Sequence, residues 1–177
     1  DGLGGAPRQA HAHKIASSDA VGFLVTTLSG AAKSGDPVDL LMVGPLTNLA
    51  LALRQAPGII AGVRRLIIMG GTLYGRGNVT PAAEFNIFCD PEAAAIVFAA
   101  DVDTTVVAWE ACLAHELAGS DIDRMLEQVA DSPYKAFVEG LIRNERERHV
   151  RSGLGDCLMF IDPLAAAVAL QPDIVTK

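Results

Sequence analysis

Three side chains able to hold a polyhydroxyl ligand fall within the nine residues NVTPAAEFN: Asn78, Glu84 and Asn86. A carboxylate accepts hydrogen bonds and an amide both donates and accepts them, which is what the hydroxyls of a sugar require. In an extended segment Glu84 and Asn86, two positions apart, would project on one side while Phe85 and Ile87 face the core. The same residues also fit a solvated loop running into a helix cap at Asp90. Thr47, in GPLTN, could turn its side chain or carbonyl toward such a site, or serve only in a strand-to-helix turn. Asp162, in IDPLAAA, reads as an N-cap and also as a ligand for a hard cation such as calcium. His11, His13, His115 and His149 each suit the surface as well as chemistry, and His115 is the best placed for the latter.

These residues are far apart in sequence, so the fold must gather them. Ser18 or Asp19 offers an N-cap for a helix from Ala20 to Lys33, in which Val21, Leu24, Val25 and Leu28 recur at helical spacing and which Gly35 and Pro37 end. VDLLMVG, RRLIIMGG and DTTVVAW are short apolar runs that suit strands buried on both faces of a parallel sheet. PLTNLALALRQAP and DPEAAAIVFAA read as helices, the second capped by Asp90 with Pro91 at its first position. The last third is expected to be helical over 120–129, 133–149 and 162–170. Strand alternating with helix implies an α/β fold, a doubly wound and mainly parallel sheet flanked by helices. Ligands bind such sheets at the carboxyl ends of the strands, which selects GPLTN, MGGTLYGRGN and AWEACLAHE, the last carrying Trp109 and Glu110.

The bulk properties narrow the partners. At 177 residues, half of them hydrophobic, the chain has room for one domain with a real core. A formal net charge of -7 argues against nucleic acid as a polymer, since such partners need a basic face. Apolar runs stop well short of the ~20 residues that span a membrane. Cys89, Cys112 and Cys157 are widely spaced and suggest neither a disulfide framework nor a zinc site, so a reducing cytoplasm is expected. No GxGxxG or P-loop phrase is present, which weighs against a generic nucleotide-binding domain.

In order and spacing, DGLGG, VGPLTNLALAL, RLIIMGGTLYGRGNVTPAAEFNIFCDPEAAAIVF and IDPLAAAVAL resemble the inosine-uridine-preferring nucleoside hydrolases, over nearly the whole chain. The resemblance implies hydrolysis of the N-glycosidic bond of ribonucleosides to free base and ribose, by a water bound to calcium. It further implies that Thr47 gives calcium a backbone carbonyl and Asp162 a carboxylate. Asn78, Glu84 and Asn86 would hold the ribose hydroxyls, with Met69 close to the sugar. Homo-oligomers, dimeric or tetrameric, are the family's habit and are expected here.

Two departures qualify that expectation. The family's aspartate cluster, Asp-x-Asp-x-x-x-Asp-Asp, supplies further calcium ligands and the general base, and it does not occur in these residues. The chain is therefore expected to be a partial domain, without its N-terminal strands and inactive by itself; the alternative is a nucleoside- or ribose-binding module without chemistry. At Ile161 an aliphatic side chain replaces the histidine that precedes the matching aspartate in many members and is thought to protonate the departing base. Tyr74, His115 and His149 are the substitutes the sequence offers.

Overall fold

The structure, a computed structural model, describes residues 3–7 and 15–175; His11 and His13 lie outside them. The described residues form two compact units, one of residues 15–113 and 161–175, the other of residues 3–7 and 114–160.

The first unit is built on three parallel strands, β1 (Val38–Met42), β2 (Val63–Met69) and β3 (Thr104–Val107), in that spatial order. Alternation along β2 explains why helices cover both faces. Leu66 and Ile68 join Leu28 of α1 (Ala20–Ser34), Leu49 and Leu53 of α2 (Thr47–Gln55) and Val97 of α4 (Pro91–Phe98) in one core. Ile67 and Met69 point the other way, into a core with Cys112 of α5 (Trp109–Ala114) and Ala165 and Val168 of α8 (Ile161–Leu170). Each face removes apolar side chains from water, and that burial is the main favourable contribution to folding.

Helix ends follow the chemistry of their residues. Asp19 caps α1 by accepting the Gly22 N–H, and Gly35 closes it in the left-handed conformation at φ 69°. Asp90 accepts the Ala93 N–H at the start of α4, with Pro91 next to it. Only β2 meets the expectation of a strand buried on both faces. β1 has no buried residue, and Val106 of β3 is exposed. The reason is topological: β1 and β3 are the edges of this sheet and β2 its centre.

The second unit contains the helices expected over 120–129 and 133–149 and adds a strand pair that the sequence did not suggest. Beside α6 (Gly119–Glu127) and α7 (Pro133–Arg151) it holds an antiparallel pair, β4 (Glu116–Ala118) with β5 (Cys157–Met159). Strands of three residues are too short to carry a period. Ile122, Ile142 and Leu158 form its core, and Arg146 binds Asp123 at 2.5 Å and Asp156 at 2.7 Å, holding α6, α7 and the turn before β5 together.

Candidate functional site

The carboxyl end of β2 is where the polar residues gather. Gly70 and Gly71 turn the chain out of the strand with φ of 159° and 74°, the second a value that side chains resist. A compact turn follows, in which the Gly77 N–H donates to the Pro81 carbonyl and the Asn78 N–H to that of Ala83, both at 3.1 Å. This brings the Asn78 carbonyl Oδ1 to 2.8 Å from the backbone N–H of Phe85.

Residues Phe85–Cys89 form a short helix, α3, not the extended segment that the apolar-polar alternation suggested. Glu84 is its N-cap. Its carboxylate accepts the N–H of Asn86 on both oxygens at 2.9 Å, that of Ile87 at 3.2 Å and that of Gly71 at 2.9 Å. The alternation misled because the apolar neighbours do not share a face: Phe85 is 53% exposed, while Ile87 packs against the core. Positions two apart on a helix do not face each other, so Glu84 and Asn86 meet through the backbone. The Asn86 side-chain amide instead donates to the Met69 carbonyl at 3.1 Å and approaches its sulfur at 3.4 Å.

Met69, Asn78, Glu84 and Asn86 thus belong to one hydrogen-bonded group. Glu84 is 2% and Asn86 9% exposed. Burial without partners would be costly for both, and none of the buried side-chain N and O atoms among the described residues lacks one. A carboxylate has about four acceptor positions, and Oε1 of Glu84 uses one, for Asn86, so it retains capacity for a ligand hydroxyl.

Asp162 stands in the first turn of α8. The residue is exposed, yet partial burial of its carboxyl, and next the charge of Glu84, hold its pKa above the ordinary value. Two carboxylates that repel each other favour a cation between or beside them. Thr47, at the start of α2, donates its hydroxyl to Asp90 at 2.5 Å. A hard cation takes oxygen ligands, and a carboxylate such as that of Asp162 and a backbone carbonyl such as that of Thr47 are of that kind. Among the described residues no three His, Cys, Asp or Glu side chains are grouped to hold a metal ion.

Of the substitutes for a proton donor, Tyr74 is 84% exposed on the loop after β2. His115 is exposed between α5 and β4. His149 is 4% exposed, with Nδ1 at 3.7 Å from the Cys157 sulfur, so its ring is part of the packing of its own unit.

Three features go beyond the sequence expectations. Glu110, the second residue of α5, accepts the Thr72 hydroxyl at 2.5 Å, the Leu73 N–H at 3.0 Å and the Tyr74 N–H at 2.9 Å. The Thr72 hydroxyl first, and then these backbone donors, bring its pKa down to about 2 against burial. Cys112 is buried, and its thiol is pushed up to about 11 by burial and then by the charges of Asp162 and Glu84. That dependence places all three in one electrostatic neighbourhood. Asp90 serves α4 and Thr47 together, where only the cap was foreseen.

The chain matches the sequence profile of the inosine-uridine preferring nucleoside hydrolases over residues 1–177. It is 34% identical to uridine nucleosidase 1 of Arabidopsis thaliana over 139 residues, 78% of this chain and 41% of that protein. It is 46% identical to the pyrimidine-specific ribonucleoside hydrolase RihB of Escherichia coli over 101 residues, 57% of this chain and 31% of that one. The structure of a plant nucleoside hydrolase superposes with a TM-score of 0.83 at 30% identity, covering 98% of this chain and 53% of its own. The chain spans about half the length of the relatives that it matches from end to end.

Proposed function

The chain belongs to the inosine-uridine preferring nucleoside hydrolase family, and from that premise we propose that the full-length protein hydrolyses the N-glycosidic bond of ribonucleosides to free base and ribose. The observation that carries this reading is the hydrogen-bonded group of Met69, Asn78, Glu84 and Asn86 at the end of the central strand. In it Glu84 and the two amides would hold ribose hydroxyls, and bonds that tighten as the ring flattens toward an oxocarbenium-like state lower the barrier selectively. Hydrogen bonds to a charged acceptor contribute about 1.5–3 kcal/mol each, so two or three would decide the rate.

Asp162 and the Thr47 carbonyl are the residues that would hold calcium, with Glu84 raising the local demand for positive charge. Calcium in that place would supply a polarised water as nucleophile. The relatives' names point to uridine and other pyrimidine nucleosides, so uridine is the first substrate to offer. Salvage of bases in the cytoplasm, by a homo-oligomer, completes the reading.

The test is release of base from uridine and inosine by the full-length protein, with and without a calcium chelator, beside Glu84→Gln. Release that chelation abolishes and Glu84→Gln slows supports the reading. Binding without release would identify a nucleoside-binding module, and turnover unaffected by chelator would remove the metal from the mechanism.

A further inference from the structure

The loop between β2 and α3 is held from two sides. On one, Glu84 accepts the Gly71 N–H at 2.9 Å. On the other, the Trp109 N–H donates to the Gly71 carbonyl at 2.9 Å, and the next residue, Glu110, gathers Thr72, Leu73 and Tyr74. The Thr72 hydroxyl does two things: it donates to Glu110 and accepts the Arg76 N–H at 3.1 Å. That second bond closes the turn over 72–76, and the following turn begins at Gly77, whose neighbour is Asn78. Hydrogen bonds therefore run from Glu110 through Thr72 to Arg76, two positions before the residue whose amide meets α3.

Gly77 lies close against backbone. A Cβ there would stand 2.1 Å from the Ala83 carbonyl oxygen and 2.2 Å from that of Thr80, so only glycine fits where the path enters Asn78. Released from Glu110, residues 72–76 would keep only the Thr72–Arg76 bond, since Leu73 and Tyr74 are 73% and 84% exposed and contribute little packing. We infer that Glu110 is a positioning residue for nucleoside binding: from α5 it fixes the loop that carries Asn78 and supports Glu84, without touching the substrate. This rests on the reading of Asn78, Glu84 and Asn86 as the ribose-binding group, and adds a residue outside that group.

A loop that must be ordered by the substrate weakens binding before it weakens chemistry. In the full-length enzyme, Glu110→Ala should raise KM for uridine roughly tenfold or more with a smaller change in kcat, while Glu110→Gln, which keeps an acceptor oxygen, stays within about threefold of wild type. Thr72→Val, which removes only the hydroxyl, should move KM in the same direction and serves where Glu110→Ala does not fold. Amide hydrogen exchange at Leu73 and Tyr74 should quicken in Glu110→Ala with the melting temperature nearly unchanged. An unchanged KM in both Glu110→Ala and Thr72→Val overturns the inference. So does a loss of activity that follows a lowered melting temperature with no change in exchange at those amides. A wild-type protein that neither binds nor cleaves nucleosides would instead remove the functional reading beneath it.

Discussion

Glu84 and Asn86 hold each other through the chain rather than through their side chains: the Asn86 N–H donates to both Glu84 oxygens at 2.9 Å while its amide turns away to the Met69 carbonyl. One carboxylate thus starts α3 and anchors Gly71, and in the proposed site it would also offer an oxygen to a ligand. Structural and binding roles should therefore separate by variant. Glu84→Ala leaves the N–H groups of Gly71, Asn86 and Ile87 without their acceptor and is expected to destabilise the fold by about 2–4 kcal/mol. Glu84→Gln keeps one acceptor oxygen and should cost about 1 kcal/mol or less, yet lose far more in kcat/KM. Urea unfolding beside uridine kinetics gives both quantities, and equal stability losses would contradict the capping role.

Gly77→Ala tests the turn itself. The added methyl meets two backbone carbonyl oxygens, which cannot withdraw as a flexible side chain would. We expect destabilisation of about 1–3 kcal/mol, together with weaker substrate binding, because Asn78 follows directly. Gly75→Ala is the instructive contrast: there the Cβ meets nothing and only the φ of 71° resists. Its effect on KM should be smaller.

Acid should release the loop in a defined window. The pKa of Glu110 is lowered from the ordinary 4.5 to about 2, so its hold is fully present above 4.5 and is lost as pH falls through 2. Exchange at the Leu73 and Tyr74 amides, corrected for the intrinsic rate, should lose protection over that interval in wild type and show no such step in Glu110→Gln. Protection constant down to pH 2 would mean that the carboxylate does not hold the loop.

Ile161→His supplies a proton donor beside Asp162. If departure of the base limits turnover, this variant should cleave inosine faster, and its kcat should fall as pH rises through about 6.5, the ordinary histidine value. The pH profile of inosine cleavage decides the matter, and a profile identical to that of wild type would show that protonation of the base is supplied elsewhere.

How much of this the sequence disclosed depended on distance along the chain. The caps at Asp19 and Asp90 were plain, because an aspartate before a helix acts on an N–H three residues away. β2 was plain too, its apolar run being buried on both sides. Glu84 is extended as expected, but Phe85, Asn86 and Ile87 are helical: their alternation imitates a strand, and only the bonds of the Asn86 and Ile87 N–H groups to Glu84 reveal a helix start. The hold of Glu110 on Thr72 spans 38 positions and leaves no local trace. Thr47 and Asp90, 43 apart, are joined by the fold in the same way.

Trp109 lies beside all of this. It is the single tryptophan of the chain, its backbone N–H donates to the Gly71 carbonyl, and its ring packs partly buried against the core that includes Met69 and Cys112. The molecule therefore carries an intrinsic fluorophore at the root of the loop, and its emission maximum offers a label-free optical record of ligand entry in a stopped-flow mixer.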